Sequence, residues 1–222
     1  MKSDVFNNEN EQTELSDVKD YFNIVLIGDS SVGKTSILEK YINNSFKSNL
    51  DKTKLIDIYK KDIYFHSNSY KLKFWDITKF IGNSDISELN MFYNCDGIIF
   101  VSSYDSESSL ENLNIWYQLL IEYVDLSMKE MIWLINKKDL TQGKLLTKDK
   151  IEKKSKDLLL DYYEVSAKSG ENIEIGIENI VKKLIKRFTD DDCLDLDNES
   201  TTSDSQENFD MKSHKKDSCN IF

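Results

Sequence analysis

The run Gly28-Asp29-Ser30-Ser31-Val32-Gly33-Lys34-Thr35 spells GxxxxGK[ST], the spacing of a phosphate-binding loop. Its glycines allow the backbone to turn N–H groups toward phosphate oxygens. Lys34 places a point charge on the β- and γ-phosphates, Thr35 offers a hydroxyl to Mg²⁺, and a helix starting here adds its N-terminal dipole. Kinases, ATPases and GTPases all satisfy this pattern. Further along, Asn136-Lys137-Lys138-Asp139 reads NKxD. The Asp139 carboxylate accepts two N–H bonds from guanine, from N1 and the exocyclic amine, and adenine has no such donor pair. Asn136 is expected to tie this loop to the phosphate loop, and the Lys137 stem to lie over the purine. Ser166-Ala167-Lys168 then offers the Ala167 backbone N–H to the guanine carbonyl.

These groups act together only if each follows a buried strand, and the hydropathy pattern supplies such strands. Phe22 to Ile27 is an apolar run ending at Gly28. A helix is expected from Lys34 to about Asn43, with Ile37, Leu38, Tyr41 and Ile42 on one face. Ile56–Phe65 and Tyr70–Asp76 read as two strands joined at Ser67-Asn68-Ser69. Ile98–Val101 and Met131–Ile135 read as buried strands, and Asp161–Val165 as a last one. Ser109 to about Val124, Lys148–Leu158 and Asn172–Phe188 read as helices. The alternation predicts a doubly wound α/β sheet, whose sites lie at the carboxyl ends of its strands.

Composition bounds the setting. The 222 residues carry a net charge of -11, which argues against nucleic acid as a partner. Residues 1–20 hold 2 lysines and 6 acids, residues 189–222 hold 3 lysines and 10 acids, and residues 21–188 balance 24 against 24. A neutral globular unit between two acidic, disordered tails is expected. Cys95, Cys193 and Cys219 are too scattered for a disulfide framework or a CxxC zinc module. With no signal-peptide pattern at residues 1–20 and no long apolar run, a cytosolic setting is expected. His66, His214, Trp75, Trp116 and Trp133 read as turn, tail and packing residues, and Cys95 as a core residue.

With three motifs in order after three strands, the chain resembles the small GTPases of the Ras superfamily over about Tyr21 to Phe188. Gly28–Ser36, Lys71-Leu72-Lys73-Phe74-Trp75-Asp76 and Asp96–Val101 are most similar to the Rab family. The resemblance implies a three-layer P-loop GTPase fold, a mostly parallel six-stranded sheet with helices on both faces. It also implies GTP or GDP with Mg²⁺, and two switch segments that sense the γ-phosphate. In that alignment Thr53 takes the place of the first-switch Mg²⁺ ligand, Phe46 that of an aromatic ring on the guanine, and Asp76 that of a carboxylate holding Mg²⁺ through water. The family's Asp-Thr-Ala-Gly-Gln is replaced by Asp76-Ile77-Thr78-Lys79-Phe80. Lys79 therefore stands where a glycine N–H meets the γ-phosphate. Phe80, or Ile81 in a register one residue later, stands where glutamine orients the attacking water, so no residue is assigned to catalysis and hydrolysis is expected to be weak.

Cys219-Asn220-Ile221-Phe222 fits C-a-a-X, with Cys219 the expected prenylation site and the terminal Phe favouring geranylgeranyl. The implied role is a lipid-anchored switch in vesicle traffic on the cytoplasmic face of a membrane, with a cytosolic pool. Its partners would be guanine nucleotide, effectors, exchange factors and prenyl-handling proteins. A hydrolysis-dead, GTP-locked module and a Rho- or Ras-type signalling switch are the alternatives.

Overall fold

The computed structural model describes residues 21–47, 56–66, 68–77, 91–140, 142–143 and 145–188. In order these form β1 (Phe22–Ile27), α1 (Lys34–Asn43), β2 (Ile56–Phe65), β3 (Asn68–Ile77), β4 (Gly97–Ser103), α2 (Glu107–Glu111), α3 (Leu113–Tyr123), a 3₁₀ turn (Leu126–Met128), β5 (Glu130–Asn136), α4 (Lys148–Leu158), β6 (Asp161–Glu164) and α5 (Ile173–Phe188). The strands make one six-stranded sheet in the order β2-β3-β1-β4-β5-β6. The β2–β3 pair is antiparallel and the other neighbours are parallel.

The central strands are apolar on both sides because both sides are covered. Along β1, Ile24 and Leu26 point to one face, where they pack with Ile37 and Leu38 of α1 and Ile177, Ile180 and Leu184 of α5. Val25 and Ile27 point to the other, against Leu113 and Leu120 of α3 and Ile151 of α4. The same parity divides Ile99 and Val101 from Ile98 and Phe100 in β4. Each such buried side chain contributes about 1.5–3 kcal/mol. β2, at the sheet edge, alternates buried and exposed positions less regularly, and only Ile63 in it is fully covered.

Several boundaries differ from expectation by one or two residues, and three of the differences have a clear physical reason. Phe65 pairs with Asn68, so the hairpin turn is shorter than Ser67-Asn68-Ser69, with His66 in the left-handed region at φ 45°. Exposed Asn68 and Ser69 join the strand because a two-residue turn brings them into register with Phe65 and Tyr64. The expected helix from Ser109 to Val124 begins earlier, because Ser106 caps the Ser109 N–H, and it is divided into α2 and α3 at Asn112. β6 ends at Glu164, one residue before the expected Val165, which is buried beyond it.

The chain leaves β1 for the β2–β3 side of the sheet and returns to β4 on the opposite side. The loop after β1 therefore lies at the point where strand order reverses, the crevice position of open α/β sheets. Among the described residues no helix is long and apolar enough to cross a membrane.

Candidate functional site

The loop from Gly28 to Gly33 turns tightly between β1 and α1, and its two glycines are required for different reasons. Gly28 has φ 144°, and a Cβ there would lie 2.1 Å from the Val101 carbonyl oxygen in the neighbouring strand. Gly33 has φ 99°, and a Cβ there would lie 2.2 Å from Asn136 Nδ2. Ser30 and Ser31 form the exposed crest of the loop, while Val32 is buried beneath it.

Lys34 opens α1 and is only 4% exposed. Its Nζ donates to the carbonyl oxygens of Gly28 at 2.7 Å and Asp29 at 2.8 Å. Burial pushes its ammonium down to about 8, against the attraction of Asp76 and Asp29. Next to it, the Thr35 hydroxyl donates to Asp76 Oδ2 at the end of β3, where Asp76 is fully buried. A hydroxyl and a carboxylate are thus side by side, the donor set a hard divalent cation takes. The loop amides, the buried ammonium and this oxygen pair fit a magnesium nucleotide. Lys34 would meet its phosphates, and Thr35 and Asp76 would hold the metal.

The base-side motifs are joined to this loop by one side chain. Asn136, at the end of β5 and 2% exposed, donates from Nδ2 to the Val32 carbonyl at 2.9 Å. Its Oδ1 accepts from the Ala167 N–H at 3.0 Å. The expected tie to the phosphate loop is therefore present. The Ala167 N–H, expected to point at a guanine carbonyl, is here given to Asn136, because the carboxamide reaches across both loops. Ser166 Oγ donates to Asp139 Oδ1 at 2.6 Å and accepts from the Ser169 N–H at 3.1 Å, fixing one oxygen of that carboxylate. Lys137 has φ 65°, and its Nζ reaches Asp105 at 2.7 and 3.0 Å. Burial works upward on Asp105, but the hydrogen bonds from Lys137 and Ser103 outweigh it and hold its carboxyl below the usual range. Lys168 is exposed, and Phe46 lies 40% exposed in the segment after α1. Thr53, Lys79, Phe80, Ile81 and Cys219 lie outside the described residues, as do residues 1–20 and 189–222.

The structure also brings in residues that motif reading passed over. Trp116 was expected only to pack, yet its indole N–H donates to Asp29 Oδ1 at 3.0 Å, and Asn112 Nδ2 donates to Asp29 Oδ2 at 2.8 Å. Sequence spacing across 83 and 87 positions carries no signal for such a pairing. Trp133 behaves as expected, buried in the sheet with its N–H on Ser102 Oγ at 2.8 Å.

A doubly wound α/β sheet with a GxxxxGK[ST] loop at its switch point defines a P-loop protein. The family model described as Ras family matches residues 23–186. The chain is 30% identical over 173 residues to Ras-related protein Rab7 of Cenchrus ciliaris, covering 73% of this chain and 82% of that protein. It is 31% identical over 165 residues to Ras-related protein Rab-8A of Pongo abelii, covering 73% and 78%. Against Ras-related protein Rab-10 of Diplobatis ommata it is 27% identical over 168 residues, covering 75% and 82%. The chain belongs to the Ras family and is a Rab-like small GTPase within it. Ras-family GTPases bind GTP and GDP, generally with Mg²⁺.

Proposed function

We propose that this chain is a guanine-nucleotide switch of slow turnover, attached to a membrane through Cys219 and acting in vesicle traffic. The observation that carries the nucleotide reading is the double hydrogen bond of Asn136, to Val32 of the phosphate loop and to Ala167 of the base loop. One buried carboxamide makes phosphate and base recognition a single unit. When bound, Mg²⁺ neutralises phosphate charge. The chain's own part is to fix the phosphates with Lys34 and the loop amides, and to select guanine with the carboxylate that Ser166 orients. Thr53 is proposed as a further metal ligand beside Thr35, with Asp76 acting through a water. The first switch around Thr53 and the second around Asp76 would take up an ordered form that a partner reads.

The hydrolysis proposal rests on residue type. An apolar side chain such as Phe80 cannot align a water by hydrogen bonding, and loss of water positioning leaves the slow intrinsic reaction, up to about 10⁵ below activated relatives. The same substitution favours a second reading, a GTP-locked binding module. Nucleotide content of the purified chain, followed by single-turnover hydrolysis beside the Phe80→Gln variant, tests both. Slow hydrolysis that the variant accelerates supports the switch. No detectable hydrolysis with retained GTP supports the locked module. Hydrolysis by the natural chain as fast as by the variant defeats the claim of impairment. Prenylation is read directly by mass spectrometry of the membrane-bound protein. An unmodified Cys219 there defeats the anchor.

A further inference from the structure

The second residue of the phosphate loop carries a negative charge where the chemistry is the binding of a polyanion. Asp29 also stands close to the cation that does that binding, since its backbone carbonyl accepts from Lys34 Nζ at 2.8 Å. Its carboxylate is engaged by two side chains at the start of α3. Oδ2 accepts from Asn112 Nδ2 at 2.8 Å, and Oδ1 from the Trp116 indole N–H at 3.0 Å. The two donors are one helical turn apart, with the Trp116 backbone N–H bonded to the Asn112 carbonyl at 2.9 Å, so the N-cap and first turn of α3 present both to one carboxylate. The α2–α3 break falls at Asn112 itself. Both donors are neutral, so they satisfy the carboxylate oxygens without adding a charge to the loop.

We propose that Asn112 and Trp116 are positioning residues for nucleotide binding: they hold the Asp29 carboxylate against α3, away from the phosphate cradle, and so leave Lys34 to the phosphates. Without them the carboxylate turns toward Lys34 and competes with phosphate for it. This inference rests on the reading of the loop as a guanine-nucleotide site. It also gives α3 a direct connection to the phosphate loop that no loop motif encodes.

The test uses the full chain loaded with a fluorescent GDP. Asn112→Ala with Trp116→Phe removes both N–H donors and keeps an aromatic ring. Release is expected to quicken by roughly 10²- to 10³-fold, the effect of a unit charge acting over about 4–6 Å at an effective dielectric near 20. High salt should shrink the difference. Adding Asp29→Asn to that pair should bring release back to within about twofold of the natural chain, because the displaced group no longer carries charge. A purely structural role for α3 would not be repaired by that change, so a triple variant as fast as the double overturns the proposal, as does a double variant with natural release. If the double variant fails to fold, judged by its thermal midpoint, Trp116→Phe alone removes one donor, and its faster release must likewise be reversed by Asp29→Asn. A natural chain that does not bind GDP overturns the nucleotide reading and this inference with it, whereas binding that ignores all these changes overturns the inference alone.

Discussion

Replacing Asn136 by Ala should be among the most damaging single changes outside the apolar core. The side chain is 2% exposed and makes two hydrogen bonds between segments far apart in sequence. Its removal leaves the Val32 carbonyl and the Ala167 N–H without this partner. Each buried polar group so orphaned costs about 1–3 kcal/mol, which for the two together gives roughly 2–6 kcal/mol. That is a large share of the ~5–15 kcal/mol that holds a domain together. The measurement is urea unfolding of the nucleotide-free chain, since bound ligand would add its own stabilisation. The midpoint should fall with an unchanged slope. Asn136→Asp sharpens the reasoning. It can still accept from Ala167 but can no longer donate to Val32, and it buries a charge facing a carbonyl oxygen, so it should be worse than Ala. A loss below about 1 kcal/mol for Ala, or an Asp variant milder than Ala, would refute the assignment of Asn136 as the tie between the two loops.

Three other outcomes are expected. Asp139→Asn exchanges an acceptor for a group that is half donor, so GDP affinity should drop by orders of magnitude; ADP competing equally with GDP for the natural chain would contradict guanine selection. Because Lys34 is held down to about 8 without nucleotide and phosphate binds its charged form, GDP affinity should weaken above that pH, by up to tenfold per unit. A dissociation constant flat from about pH 7.5 to 9.5 would remove Lys34 from phosphate binding. Gly28→Ala would drive a Cβ to 2.1 Å from the Val101 carbonyl, so β1 and β4 must separate and stability should fall by several kcal/mol; a thermal midpoint within about 2 °C of the natural chain would show that the loop has room the structure does not give it.

The sheet was legible because most of its inner strands are largely apolar runs, and Ile24–Ile27 and Met131–Ile135 announce burial on both faces. The phosphate loop and NKxD were legible because their function depends on local spacing, which a sequence displays directly. The hairpin end was not, since Asn68 and Ser69 have no strand preference and are fixed only by pairing with Phe65 and Tyr64. Nor was the early start of the helix, set by the Ser106 cap, or its division at Asn112, where the side chain makes a tertiary contact with Asp29. Ala167 shows a subtler limit. Its backbone N–H could be placed near the site by motif, but its acceptor is decided by how far one carboxamide can reach.

The posture of Lys34 has a consequence for how tightly any phosphate is held. Its ammonium already has two oxygen ligands from its own loop, Gly28 and Asp29. An incoming phosphate does not meet a bare cation; it replaces one set of oxygens with another, as a protein hydrogen bond replaces one to water. The net gain is the difference between the two sets, much smaller than the attraction between the isolated charges. A loop whose own carbonyls engage its lysine therefore tempers that lysine's share of the affinity, and leaves proportionately more of it to the other contacts of the site.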